Sequence, residues 1–420
     1  MSTHINPTKS KGKQDSSQLV KVAADRLRLG MYVAKLDRPW LGTPFLFQGF
    51  PLNDPEEIKQ IRGLCQFVYV DVKKSSNRDK KKNKVEQLED IPKTQYRTSV
   101  AVQDEIAAAN QSYQGLLSQL RKMMRHSKRH GEAHSKIVKQ SIKTCTESII
   151  RNPNAMIWLS HVQQQHAHTA EHGLHVALLA ISLGRHLGLP RQSLEILGLC
   201  GLLHDVGKSK VDREILDKPG KFSAEEWLQM QRHAEYGRDM LLHDPLLPPV
   251  VIEAVYSHHE RIDGNGYPRG IAANELSFYT RIITIVDAYD AMISYRPYQS
   301  PRTSAEAIKI IYEERGTQFD QSLAVKFIES MGLYPPGSLI EMQSGEVGIV
   351  IAADPKARLN PTVALLTNSK KQGTKQTIVN LKTQQGSEAP LAIKQVLLDG
   401  KHGISVAAFT QSHCDTLPSA

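Results

Sequence analysis

No run of 18 or more apolar residues occurs anywhere in the 420-residue sequence, so no segment has the length and character of a membrane-spanning helix. The opening MSTHINPTKSKGKQDSSQ has no apolar core of the kind a secretory signal needs, and the expected location is the cytoplasm. Cysteine is scarce. Cys65, Cys145, Cys200 and Cys414 stand far apart with no CxxC spacing, which excludes a thiolate zinc ribbon and suits a reducing compartment without disulfides. Aromatic residues make up only 6%, but hydrophobic residues reach 40% against 23% charged, which excludes wholesale disorder. No internal repeat is visible. At roughly 100 to 200 residues per domain, the length predicts two to four domains.

Two features stand out against this background. The net charge is +10, suited to an anionic partner, but much of it is concentrated in Lys73 to Lys84 and again from Arg121 to Lys143. Both stretches are poor in apolar residues and read first as a solvated linker and an exposed helix face. The histidines are more telling. Eleven of 17 fall between His161 and His259, a window that random placement would fill with about four.

Organisation follows from periodicity. Residues 1–19 form a polar arm. Over 20–72, runs such as Met31-Tyr32-Val33 and Phe67-Val68-Tyr69-Val70, broken by Gly30, Gly42, Gly49 and Pro51, predict a small strand-rich α+β accessory domain with one helix near 54–64. Residues 73–99 lose apolar periodicity and read as a basic, polar linker, and 100–150 as connecting helices. Residues 151–333 carry helix punctuation, including a Ser223-x-x-Glu226 capping box and a Gly188-Leu189-Pro190 stop, and predict an all-α catalytic domain. After Pro335-Pro336-Gly337 the period becomes two, so 334–420 should be a small β appendage with a frayed tail.

Within the helical domain, His172 shares a face with Val176, Leu179 and Leu183, and His204 lies two turns after Leu197. Both therefore point inward. Adjacent helix residues diverge by about 100°, so His204 and Asp205 converge on one point only if something sits between their tips. His233 lies one turn after Met230 on the helix opened by Ser223, His258 and His259 lie two turns after Val251, and Asp287 shares a face with Ile283 and Asp290. A single inward histidine is more often a hydrogen-bonded core residue than a ligand. This many buried N and O groups without a metal, however, would each cost roughly 1 to 3 kcal/mol when unsatisfied. Two metal ions are the economical reading, with Asp205 bridging them. Imidazole and carboxylate donors suit Fe, Mn, Zn or Ni, and two such ions about 3.5 to 4 Å apart serve phosphoester hydrolysis. Lys208, four residues after His204, is placed either to meet a phosphate or leaving oxygen or to sit as an exposed last-turn lysine. The glycines and proline after His259 force a tight loop beside these residues.

Together, His204-Asp205-Val206-Gly207-Lys208 and His258-His259-Glu260-Arg261-Ile262-Asp263-Gly264-Asn265-Gly266-Tyr267-Pro268-Arg269-Gly270 resemble the signature of the HD-GYP family, a branch of the HD metal-dependent phosphohydrolases. The resemblance covers about residues 160–330, including Leu216-Asp217-Lys218-Pro219-Gly220, Val286-Asp287-Ala288-Tyr289-Asp290-Ala291 and Arg296-Pro297-Tyr298. The stretch with Gly30-Met31-Tyr32-Val33 and Leu36-Asp37-Arg38-Pro39-Trp40 resembles an accessory domain of unknown function that precedes HD-GYP modules in some bacterial proteins. The resemblance implies a central all-α HD-type domain flanked by the small N-terminal and C-terminal β regions. It also implies hydrolysis of cyclic di-GMP to linear pGpG, with cleavage on to GMP left open, which lowers a bacterial second messenger controlling motility and biofilm formation.

By motif position, His172, His204, Asp205, His233, His258, His259 and Asp287 match the family's metal ligands, and Lys208 its catalytic lysine, acting with Asp205. Asp290, Arg296 and the Gly266-Tyr267-Pro268-Arg269 loop match the substrate side, and Arg296, Arg269 and Arg261 are expected to form a positive rim. The expected cofactor is a pair of Fe or Mn ions. Members with a third metal carry a glutamate where this chain has His168, so three ions are not expected, and His168 is the candidate ligand for any extra one. Gln299 and Gln321 also depart from the family's usual residues, but no ligand position is lost, so an active enzyme is expected. Cyclic di-GMP is the expected partner, with diguanylate cyclases or other signalling proteins as further candidates. A homodimer is open, and neither nucleic acid nor membrane insertion is expected. Two other readings are an HD-type hydrolase of another nucleotide and a catalytically weak signalling adaptor.

Overall fold

The computed structural model describes residues 19–28, 31–38, 50–52, 55–71, 91–130, 135–162, 169–295, 300–353, 359–383 and 391–413. The basic stretch over 73–84 lies outside the described residues. The chain divides into two units, 1–84 and 85–420.

In the first unit, strands β1 (Leu19–Ala23), β2 (Tyr32–Leu36), β3 (Phe50–Pro51) and β4 (Phe67–Asp71) form an antiparallel sheet in the order β1-β4-β2-β3, with helix α1 (Pro55–Leu64) between β3 and β4 in the chain. Val68 and Val70, two apart on β4, are buried with Val33 of β2 and with Ile58 and Ile61 of α1. The period of two and the helical period thus meet in one small core.

The second unit begins with α2 (Val102–His130), α3 (Lys136–Arg151) and α4 (Pro153–Val162), followed by α5 (Thr169–His186) and α6 (Arg191–Leu203). Next come a 3-10 turn (Val206–Lys210), α7 (Arg213–Leu216), α8 (Ala224–Gln231), α9 (His233–Leu241) and α10 (Pro249–Ser257), then α11 (Phe278–Ile293), α12 (Ser304–Glu313) and α13 (Gln321–Met331). Helix α5 is buried from Gly173 through Gly184, which is how an apolar central helix behaves when neighbours cover it on all sides. The helices expected as connectors are part of the same core: Tyr113, Leu116 and Leu120 of α2 and Val138, Ile142 and Ile149 of α3 join Leu174, Ile181, Leu194, Val251 and Ile282. An apolar stripe as long as that on α2 needs a partner surface, and the central helices supply it.

Two expectations are corrected here. The single helix anticipated from Ser223 through His233 is broken at Arg232, so that His233 opens a new helix. The Ser223–Glu226 capping box does form. The tail is also ordered further than expected. After the antiparallel sheet β5 (Leu339–Met342), β6 (Val347–Ala352), β7 (Thr362–Thr367), β8 (Gly373–Asn380) and β9 (Ile393–Leu397), in the order β8-β7-β6-β5-β9, comes helix α14 (Val406–His413). Phe409 rests 6.1 Å from the ring of Trp158, whose Nε1 donates to Thr410 Oγ1 at 3.0 Å. A fully buried indole N–H requires an acceptor, and α14 provides it. The sheet itself is apolar on two sides: Val347, Ile349 and Ile351 join the helical core, whereas Ile340, Met342, Val350 and Val363 form a second cluster.

Among the described residues, no helix is long and apolar enough to cross a membrane. Thr410→Val strands the Trp158 N–H and should lower unfolding free energy by about 1–3 kcal/mol in a denaturant titration. An unchanged midpoint would show that α14 contributes nothing to holding Trp158.

Candidate metal centre

Several of the inward histidines stand at helix ends. His204 caps the C-terminus of α6, His233 follows α8 and opens α9, and His258 caps α10. Their Nδ1 atoms lie 2.7 Å from the carbonyl oxygens of Gly201, Met230 and Val255, respectively, each three residues back. These carbonyls belong to the last helical turn, where helical N–H partners run out. A carbonyl can only accept, so each Nδ1 carries the proton and each Nε2 is left as a bare lone pair. The helix terminus thereby fixes the tautomer a metal ligand requires, and the negative end of the helix dipole favours a cation.

Asp205 lies at the convergence of these rings. Its Oδ2 is 3.3 Å from His204 Nε2, 3.8 Å from His172 Nε2 and 2.5 Å from Lys208 Nζ. Its Oδ1 is 3.5 Å from His233 Nε2 and 3.8 Å from His258 Nε2. Two groups of donor atoms result, each with members within 4.8 Å of one another: Asp205, His233, His258 and His259, and His172, His204 and Asp287. Gly207 allows this convergence, because a Cβ there would collide with the His233 carbonyl and the Gly237 amide. The turn after Asp205 can therefore lie directly on the start of α9.

The buried polar atoms call for a cation. His204 Nε2 and Asp205 Oδ1 are buried and satisfied by no hydrogen bond. His233 Nε2 and His258 Nε2 face each other at 3.2 Å. Because both Nδ1 atoms already hold the proton, that contact is lone pair against lone pair, which is repulsive unless a positive ion is present. Burial lowers the pKa of His233 to about 4 and of His259 to about 3, and pushes His258 well below its usual value, so all three are neutral at pH 7. Burial opposes the charge of Asp205, yet the carboxyl is held well below the usual range, with the ammonium of Lys208 beside it. The residues present fit a metal centre.

His172 differs from the others. Its Nδ1 is 2.7 Å from Asp290 Oδ2 and its Nε2 is 2.9 Å from Asp287 Oδ1. Burial would lower its pKa, but the two carboxylates dominate and raise it to about 9.

The remaining expected site residues fare unevenly. Tyr267 lies with its ring 4.6 Å from that of His259, and the loop folds back so tightly at Gly266 that a Cβ would collide with the backbone of Glu260 and Arg261. Pro268 follows through a cis peptide. Asp290 is not on the substrate side: it is fully buried behind His172, and its oxygens face His172, His175 and Ser294. Two members of the expected positive rim are ion-paired. The Arg269 guanidinium is held by Glu253 and Ser257 on α10, and that of Arg261 by Asp263 at 2.8 Å, so both charges are paired. Arg296 and His168 lie outside the described residues.

Sequence reasoning missed three contributors. Glu260, buried, accepts from Arg269 N at 2.7 Å and Ile271 N at 3.2 Å and so ties down the loop. His175 sits next to Asp290, one turn beyond His172, where its position on the helix was the available signal. Trp227, exposed, stands edge-on to Tyr267 at 5.9 Å.

Residues 152–323 match the family model described as HD domain, and residues 19–135 match a domain of unknown function, DUF3391. The protein named cyclic di-GMP phosphodiesterase PA4108, from Pseudomonas aeruginosa, is 31% identical over 358 residues, covering 84% of this chain and 86% of that protein. The 3'3'-cGAMP-specific phosphodiesterase 1 of Vibrio cholerae is 38% identical over 160 residues, which span 38% of this chain and 37% of that protein. Among solved structures, Bd1817, described as an HDG"Y"P protein from Bdellovibrio bacteriovorus, aligns with a TM-score of 0.44 at 17% identity, covering 74% of this chain and 98% of that one. The helical domain is thus an HD domain whose His and Asp residues could hold a metal. The chain belongs to the HD-GYP family.

The two donor groups should load differently with pH. His172, with a pKa of about 9, must release a proton before its Nε2 can bind a cation, whereas His233 and His259 are already neutral above pH 5. In chelator-competition titrations of Mn²⁺, one binding constant should therefore rise about tenfold per pH unit from 7 to 9, and the other should stay flat. Two flat profiles would contradict this assignment.

Proposed function

We propose that this chain is a metal-dependent phosphodiesterase that hydrolyses cyclic di-GMP to linear pGpG, with two divalent ions, iron or manganese, as cofactor. The observation that carries this reading is the division of Asp205 between two sets of imidazoles, one oxygen toward His172 and His204 and the other toward His233 and His258. His172, His204 and Asp287 would hold one ion and His233, His258 and His259 the other, with Asp205 shared. When bound, such a pair supplies activation of water at neutral pH and a clamp on phosphoryl oxygens. The cyclic dinucleotide substrate is supported by the likeness, over most of both chains, to a relative named as a cyclic di-GMP phosphodiesterase.

The chain's own residues complete the proposal. Lys208 is the partly exposed cation beside Asp205. It is placed to neutralise a phosphate oxygen and to give its proton to the departing ribose 3′ oxygen. Tyr267, packed on His259, walls the pocket on the loop side and keeps bulk water from that face. Neutral Nε2 lone pairs, held by helix-end carbonyls, keep the ligand set organised before substrate arrives.

Protein purified anaerobically with Fe²⁺ or Mn²⁺ should convert cyclic di-GMP to pGpG on chromatographic analysis, with 3'3'-cGAMP and guanosine tetraphosphate as competing substrates. Lys208→Ala should keep its metal content and lose about 10²–10⁴-fold in turnover. Full turnover by that variant would remove the lysine from the mechanism. Turnover of 3'3'-cGAMP alone would replace the substrate, and a fully metallated protein that cleaves none of the three would leave the adaptor reading.

A further inference from the structure

Tyr113 stands on α2, within the DUF3391 match over 19–135 and outside the HD-domain match over 152–323. Its side chain is fully buried, and its hydroxyl lies 2.8 Å from His175 Nε2. His175 Nδ1 lies 3.4 Å from Asp290 Oδ1, and Asp290 Oδ2 lies 2.7 Å from His172 Nδ1. A file of polar groups therefore runs from α2, through α5 and α11, to a proposed metal ligand, hydrogen-bonded at both ends and joined between His175 and Asp290 Oδ1 by close approach, since no hydrogen bond satisfies that oxygen.

The direction of each proton along this file follows from the donor inventory. A carboxylate only accepts, so His172 and His175 both turn an Nδ1–H toward Asp290. His175 Nε2 is then the acceptor, and Tyr113 donates to it. With Nδ1–H of His172 committed to Asp290, its Nε2 is the atom left to meet a cation. The Asp290 carboxylate favours the proton on Nδ1 of His175, and Tyr113, whose hydroxyl can donate, fixes the ring through Nε2. Without the hydroxyl, the buried Nε2 loses its hydrogen-bond partner and the ring loses the anchor that keeps Nδ1 turned toward Asp290. Simple core filling explains none of this, since an apolar pair of similar volume would pack here with no desolvated polar atoms.

We infer that Tyr113 and His175 are positioning residues of the metal centre, through which a helix of the DUF3391 segment holds Asp290 and, behind it, His172. The inference rests on His172 being a metal ligand, as proposed above.

The test uses the metal-stripped full-length chain, Mn²⁺ as probe and chelator competition as readout, with thermal midpoints measured alongside. Tyr113→Phe should weaken one of two Mn²⁺ binding constants about tenfold and leave the metal-free midpoint unchanged. His175→Asn places an amide N–H near the position of Nδ1 and needs no help from Tyr113. It should retain near-normal affinity, and adding Tyr113→Phe to it should cost no further affinity. His175→Leu should lose affinity as Tyr113→Phe does. If Tyr113→Phe fails to fold, the Leu and Asn variants at 175 decide the matter, and equal affinities there overturn the inference. Wild-type affinity for both ions in a folded Tyr113→Phe also overturns it, leaving the metal centre intact. A wild-type protein that binds no Mn²⁺ overturns the metal-centre reading itself.

Discussion

The carboxylate of Asp205, almost wholly buried among histidine rings, sets the conditions the helical domain must meet. Burying an ion costs several kcal/mol unless partners compensate. Here the Nε2 atoms of His204, His233 and His258 are lone pairs, not donors, and Lys208 is the close fixed cation. The polarity of the pocket is therefore that of a cation site, and helix ends build it. Three C-terminal turns give up carbonyls to histidine Nδ1 atoms, which satisfies orphan acceptors and aims lone pairs inward with one bond each. Gly207 then brings Asp205 against the start of α9, so that ligands distant in sequence share one small volume.

Around that volume the protein is asymmetric. On the inner side, His172 is backed by Asp290, and the apolar central helix α5 carries both His172 and His175. Rigid packing suits ligands whose orientation must survive the empty state. On the outer side lie the partly exposed Lys208, His259 and Tyr267, with Trp227 beyond them. These are the groups a phosphodiester could reach. Glu260 pins the loop that carries Tyr267 by accepting two backbone N–H groups, so the wall of the pocket is a property of the motif's third residue as much as of its tyrosine.

Helical spacing was enough to read which side chains point inward: His172, His204, His258 and Asp287 all lie on apolar faces, and the structure brings them together with Asp205, His233 and His259. His233 reached the same place by a different route, through a helix break at Arg232 that the Ser223–Glu226 box does not signal. Spacing could not say what an inward residue meets. Asp290 shares the face of Asp287, yet one turn of helix carries it behind His172 rather than beside it. The charges of Arg261 and Arg269 looked available because their partners, Asp263 and Glu253, become neighbours only in the folded loop. Tyr113 meets His175 across 62 residues of sequence, a pairing that no local pattern encodes. The ordering of α14 likewise depends on a distant contact, the hydrogen bond from Trp158.

Anomalous diffraction from crystals of the manganese- or iron-loaded protein, collected at the absorption edge of the bound metal, most directly examines whether Asp205 is shared. Two peaks are expected, both in contact with Asp205, one beside His172, His204 and Asp287 and the other beside His233, His258 and His259. A single peak, or two peaks of which one makes no contact with Asp205, would contradict the shared-carboxylate centre.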